Sequence, residues 1–285
     1  MNPKNLKFYK MKVGDIEVFQ IFDGALERPH DAGFIKNASI DDAKKALIAA
    51  GLSDAMLPNV YTVTVLKIGG KYVMFDAGNG AGGLPKTGLL AENMKAAGFE
   101  QKDISTVVVT HFHPDHIFGL MTKENEQVYP NAEILIGETE YKFWIDPGTI
   151  AKLPEARVGL AKRIQATIPN WKNLKQYGPE KDVLAGVKPV PSYGHTPGHT
   201  SFLVNSGNQQ LMVLADVTNV PVFNLRNPGW HLAFDQDAPM AEASRRKMFD
   251  RVVADKLVCA GYHWGMPGAG TVTKDGNGYA LVPVA

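Results

Sequence analysis

Thr110-His-Phe-His-Pro-Asp-His116, read THFHPDH, sets three histidines and one aspartate within six positions. The run before it, Ile104-Ser-Thr-Val-Val-Val109, is rich in β-branched residues and too short for a typical helix, so it predicts a buried strand. Pro114 lacks a backbone N–H, which makes the motif a loop beyond the strand end and not a strand or helix interior. Loops held by a rigid strand commonly present chemistry. Imidazole and carboxylate together suit zinc and other borderline divalent cations. His111 and His113 stand two apart and can face one side, while Asp115 and His116 can turn toward a second ion. Four ligands this close crowd one metal but serve two.

Working outward, three more apolar runs end in a potential ligand. Residues 187–192 lead to His195 within Gly194-His-Thr-Pro-Gly-His199, residues 211–215 to Asp216, and residues 257–261 to His263. If neighbouring strands run the same way, these ends converge on one rim. Five of the eight histidines then gather with two aspartates. His199 lies four after His195, and both cannot easily reach one ion, so His195 is read as the ligand and His199 as a hydrogen-bonding support. Asp76, at the end of a strand over 71–75, is either a turn former or a second support; Thr110 is a third.

The remaining elements frame that rim. A hairpin over 7–22 turns at Gly14-Asp15 and is broken by Asp23-Gly24. Ser39 and Asp42 predict a capped helix that ends at Gly51. A second hairpin covers 61–75, and the glycine-rich 79–86 has no phosphate-loop spacing and reads as a mobile connection. Helices follow over 89–97 and from 139, with a strand over 132–136 between them. Residues 147–186, punctuated by Pro147, Pro154, Pro169 and Pro179, read as an insertion of short helical pieces covering the site within one domain of residues 1–285. Pro189 and Pro191 sit poorly in the strand over 187–192. A hairpin joins 201–205 to 210–215, Asp237 caps a helix running to 254, and a last hairpin joins 271–273 to 279–284. Phe118, Phe143, Trp144 and Trp264 are the candidate walls of a substrate pocket, while His30 and His231 read as solvated.

Composition narrows the partners. The 285 residues are 45% hydrophobic and 21% charged, ordinary for a globular protein, and the formal net charge of +1 gives no cue for nucleic acid or an anionic membrane. A small molecule is the expected partner. Cys259 is the single cysteine, so no internal disulfide forms. No apolar run is long enough to span a bilayer, and Met-Asn-Pro-Lys-Asn lacks the apolar stretch of a signal peptide. The expected location is periplasmic if a leader was trimmed and cytoplasmic otherwise.

THFHPDH, GHTPGH, Asp216 and His263 together make the chain resemble the metallo-β-lactamase superfamily across nearly its whole length. GHTPGHT, Phe143-Trp144 and the ending Gly278-Tyr-Ala-Leu-Val-Pro-Val284 look closest to its methyl parathion hydrolase-like branch. The resemblance implies an αββα sandwich: two mixed sheets covered by helices, with a dinuclear site at one edge. It implies His111, His113 and His195 on one metal, Asp115, His116 and His263 on the other, and Asp216 bridging. It implies two divalent ions, zinc before manganese, iron or cobalt, and it admits a homodimer. A metal-bridging hydroxide would cleave an apolar or aromatic ester, lactone or phosphotriester, with Asp115 and Asp216 as the catalytic carboxylates. True β-lactamases commonly have cysteine where Asp216 stands, and Phe118-Gly119 replaces the usual glycine pair. Lactonases of acyl homoserine lactones often carry a tyrosine where this chain has Asn219. That lactonase activity is one competing reading. A di-iron redox protein or a metal-holding protein without turnover is another, although 285 residues leave no room for the usual flavin domain.

Overall fold

Val107 and Val109 enter one layer of the core and Val108 the other, the two-residue alternation of a strand buried on both faces. A computed structural model describing residues 5–81 and 83–285 extends this pattern to two stacked sheets. The first runs, in chain and spatial order, β1 (Phe8–Val13), β2 (Ile16–Arg28), β3 (Leu57–Ile68), β4 (Lys71–Phe75), β5 (Ile104–Val109), β6 (Glu133–Gly137) and β7 (Leu174–Tyr177). Pairing is antiparallel as far as β4 and parallel from β4 to β7. The second comprises β8 (Val187–Pro191), β9 (Thr200–Ser206), β10 (Gln209–Ala215), β11 (Val258–Gly261), β12 (Ala269–Asp275) and β13 (Gly278–Pro283). Only β10 and β11 pair in parallel there.

Seven α-helices accompany the sheets among the described residues: α1 (Ile40–Ala49), α2 (Leu90–Ala96), α3 (Pro114–Ile117), α4 (Glu138–Ile145), α5 (Glu155–Thr167), α6 (Pro221–Asn224) and α7 (Ala238–Ala254). Phe75 and Val108 meet Phe202 and Val213 between the sheets. Met94 of α2 and Ile164 of α5 cover the outer face of the first sheet, and Met248, Phe249 and Val252 of α7 cover that of the second. This is the expected αββα sandwich. Burying each such side chain contributes roughly 1.5–3 kcal/mol. Ser39 and Asp42 close the capping box of α1, and the Asp237 side chain caps α7, as their spacing predicts. Among the described residues no helix is long and apolar enough to cross a membrane.

Several local expectations are corrected. Asp23-Gly24 does not end β2; the pairing with β3 shifts register there, and the strand continues to Arg28. The bulge turns Asp23 inward, where its buried carboxylate accepts from Asn79 N, Asn79 Nδ2 and Leu90 N. The connection expected over 79–86 is thereby pinned at Asn79; Gly82 within it, like residues 1–4 of the expected leader-free start, lies outside the described residues. Residues 147–186 contain the strand β7 as well as helical pieces. Pro114 begins α3 instead of forbidding a helix, because the first helical turn needs no donor from it. Pro189 and Pro191 fit because β8 is an edge strand.

Candidate metal centre

The C-terminal ends of β4, β5, β8, β10 and β11 lead to Asp76, THFHPDH, His195, Asp216 and His263 respectively. Two of these ends carry backbone that non-glycine residues seldom adopt. Asp76 has φ of 64° and Ala215, just before Asp216, has φ of 49°. The β10–β11 register also shifts between Val213 and Ala215, which re-aims Asp216.

The structure brings together all seven side chains singled out as ligands. Ligand atoms of His111, His113, His195 and Asp216 lie within 4.8 Å of one another, and so do those of Asp115, His116 and His263. Asp216 sits between the groups. Its Oδ2 is 3.1 Å from His263 Nε2, 3.3 Å from His195 Nε2 and 3.9 Å from His111 Nε2, and its Oδ1 is 3.2 Å from His116 Nε2. Asp115 Oδ2 lies 3.5 Å from His263 Nε2 and 3.6 Å from His116 Nε2. All are buried except Asp115, whose side chain is 20% exposed.

Neighbouring acceptors fix the imidazoles. His116 Nδ1 faces Asp76 Oδ2 at 2.8 Å, His195 Nδ1 faces Asp235 Oδ1 at 2.9 Å, and His263 Nδ1 faces the Val60 carbonyl at 2.8 Å. Thr110 Oγ1 donates to Asp76 Oδ2 and can accept from His111 Nδ1. In the neutral imidazoles a proton on Nδ1 leaves Nε2 as a bare lone pair aimed at carboxylate oxygen, an arrangement that calls for a proton or a metal cation in between. Accordingly Nε2 of His111, His113, His116 and His195, and Asp216 Oδ1, are buried without a hydrogen-bond partner. The donor set and these orphaned atoms fit two divalent ions.

Electrostatics agree. Burial, then the neighbouring imidazoles, holds His111 and His113 well below the usual histidine range, so they stay neutral. Burial alone would lower His116 and His195 as well. The carboxylates around them overcome it, raising His116 well above its usual value and His195 to about 9. Burial would raise Asp216, yet His263 and His116 hold it well below the carboxylate range. Protons and metal cations thus compete for the same place.

His199 stays outside both ligand groups: its Nε2 accepts the Asp216 backbone N–H at 3.1 Å, and its Nδ1 lies 2.9 Å from Ser192 Oγ. Burial, then His195, pushes it down to about 3. His30 bonds the Asp54 carbonyl and His231 pairs with Glu242, both away from the cluster. Of the expected pocket walls, Trp264 helps line a cavity of about 140 Å³ with Val60, Asn219, Val222 and His263. Phe118 and Phe143 are half-buried against the core, Phe118 beneath the Arg163 guanidinium. Trp144 is a correction: it is fully buried, its indole N–H spent on Glu140, so it walls no open pocket. A larger cavity, about 540 Å³ beside Lys95, Gln101 and Tyr129, is lined by none of the seven ligands, so size alone does not locate this site.

Three buried groups escaped the sequence reading. Glu140 accepts from Phe112 N, Trp144 Nε1, Thr196 Oγ1 and Gly198 N, tying the THFHPDH and GHTPGH loops together. Asp235 holds His195 and is itself held by Arg245. The available signal was Arg245 on the apolar stripe Ala241, Met248, Phe249 and Val252, where a charge needs a partner.

The family model of the metallo-beta-lactamase superfamily matches residues 57–261, a span that includes every ligand but His263. The chain belongs to the metallo-beta-lactamase superfamily. Over 154 residues it is 24% identical to an N-acyl homoserine lactonase of a Bacillus species, covering 54% of each chain. Over 128 residues it is 28% identical to the N-acyl homoserine lactonase AttM of Agrobacterium fabrum, covering 43% of this chain and 44% of the relative. The chain therefore spans about half the length of these curated relatives. Among solved structures, AidC, a dizinc quorum-quenching lactonase, superposes with a TM-score of 0.87 at 28% identity, covering 98% of this chain and 97% of that one. The hydrolase AbOPH superposes with a TM-score of 0.89 at 23% identity over 99% of each chain and shows the shared fold.

Proposed function

We propose that this protein is a metal-dependent hydrolase that opens an apolar lactone or cleaves a related ester, with two divalent ions, zinc first, at the site described. The observation that carries this is the set of Nε2 lone pairs and carboxylate oxygens of His111, His113, His116, His195 and Asp216 that face one another with nothing to pair them. His111, His113 and His195 would hold one ion, Asp115, His116 and His263 the other, with Asp216 shared. Bound there, such ions supply Lewis acidity and bring the pKa of water from about 15.7 toward 7.

The chain's own residues do the rest. Asp76, Asp235, Thr110 and the Val60 carbonyl keep the imidazoles in the tautomer that leaves Nε2 free. Asp115, the most exposed member of the cluster, is the group placed to carry a proton to the leaving oxygen. Its backbone is held by Tyr262, whose ring stacks on His116 and whose hydroxyl donates to the Asp115 carbonyl. The cavity beside His263 offers apolar walls for the non-leaving substituent. Residues 147–186 are read as cover for the site within one domain, because Arg157 of α5 donates to the Phe234 carbonyl beside Asp235.

A lactone is preferred over a phosphotriester because the relatives and AidC are described as lactonases. The methyl parathion hydrolase-like branch is a finer placement that the family model does not make. The test is a panel of acyl lactones, aryl esters and phosphotriesters with the zinc-loaded protein, repeated after chelation. Lactone or ester turnover that chelator abolishes and zinc restores is expected. Turnover of the full panel untouched by chelator would remove the proposal.

A further inference from the structure

Arg245 is 1% exposed, and each arm of its guanidinium has a partner. Nε donates to the Val217 carbonyl, Nη1 to the Pro228 carbonyl and Nη2 to Asp235 Oδ2, each at 2.9 Å. Two of these three acceptors lead straight to the metal centre. Val217 directly follows Asp216, and Asp235 presents its other oxygen to His195 Nδ1 at 2.9 Å. One rigid fork on α7 therefore clamps the backbone behind the shared carboxylate and the carboxylate behind one imidazole. The other ligand group is supported differently. Asp76, which holds His116, takes neutral donors from Thr110 and, among the described residues, has no arginine or lysine paired with it.

We propose that Arg245 is a positioning residue of the centre, acting through Asp235 to orient His195 and so to set the affinity of the His111/His113/His195 group for its ion, while the Asp115/His116/His263 group feels it only through the backbone of the shared Asp216. The inference rests on the metal-centre reading above and adds an asymmetry to it. A mere staple for α7 would act on both groups alike, since losing the helix loosens the whole second sheet.

The experiment measures zinc affinity by competition with a chromogenic chelator for the wild-type protein, Arg245→Met, Arg245→Lys and Asp235→Asn, alongside the visible spectrum of each cobalt(II)-loaded protein. Asp235→Asn is nearly isosteric and keeps the test open if Arg245→Met fails to fold. An asparagine cannot accept from both Arg245 and His195, so one contact is lost. Expected is a wild type that takes up two equivalents. In Arg245→Met and Asp235→Asn one equivalent weakens about 10–100-fold, the usual effect of removing a ligand's hydrogen-bond partner. The other equivalent is unchanged in Asp235→Asn and weakens far less than the first in Arg245→Met, one of two cobalt environments is the more altered, and Arg245→Lys recovers part of the loss. Two equivalents unchanged in every variant, or both weakened in parallel, overturns the inference. A wild type that binds no zinc overturns the metal centre itself, and the inference with it.

Discussion

Replacing Glu140 separates a buried polar crosslink from ordinary packing. Its Oε1 accepts from Phe112 N and Trp144 Nε1 and its Oε2 from Thr196 Oγ1 and Gly198 N, every contact 2.8 Å long. Burial pushes its pKa up, but four donors and a missing acceptor favour the carboxylate. In Glu140→Gln the amide oxygen can keep Phe112 and Trp144 while Nε2 replaces Oε2. The Thr196 hydroxyl can rotate to accept, but the Gly198 N–H then faces another N–H. One buried donor is stranded, which costs about 1–3 kcal/mol. In Glu140→Ala all four donors lose their partner and a cavity opens, so the loss rises to at least about 4 kcal/mol, with water entry limiting it. For a chain of this size the glutamine variant would melt roughly 2–12 °C lower and the alanine variant lower still. Urea unfolding of the metal-free proteins, paired with zinc stoichiometry, makes the comparison. Equal destabilisation by both substitutions, or less than about 0.5 kcal/mol from either, would refute the donor count as the origin of the effect.

Three other outcomes follow from the same geometry. Asp216→Ala and His113→Ala should each abolish zinc retention and hydrolysis while far-ultraviolet circular dichroism stays native; full metal content in either variant contradicts the ligand assignment. Asp23, raised by burial to about 6 from 3.8, binds a proton more tightly folded than unfolded, so it contributes stability below pH 4 that is lost as pH rises to about 6. That loss is about 3 kcal/mol, and Asp23→Asn should erase it from the pH dependence of urea unfolding in the metal-free protein; identical pH profiles would sink the claim. Gly119→Ala puts a Cβ 1.8 Å from the Ala77 carbonyl oxygen, a backbone atom that cannot swing aside, so a loss above the 1–3 kcal/mol typical of overpacking, or about 3 kcal/mol and more, is expected in the melting temperature and zinc content.

What could be read from the chain, and what could not, divides by the range of the interaction. Val107–Val109 announces a strand because a short β-branched run is a local signal, and THFHPDH announces metal because seven positions hold the whole pattern. His195, Asp216 and His263 could be added since each ends an apolar run, and strand ends in an open sheet share a rim. Asp235 offers no such cue. It lies in an irregular stretch, and its meaning comes from His195, forty residues upstream, and Arg245, ten downstream. Glu140 joins loops 28 and 58 residues away, and its neighbours Phe143 and Trp144 read as pocket walls instead. Trp144 was misplaced for the same reason: an aromatic beside a site reads as a wall, and only the Glu140 contact shows that its indole N–H is already taken inside the core. Ligands cluster in sequence because a cation needs several donors on short loops. The groups that aim them need only one good contact each, so they can come from anywhere the fold brings near. A buried Arg or Glu on an otherwise apolar helix stripe is the one trace they leave, since the energy of an unpaired buried charge forbids it from standing there alone.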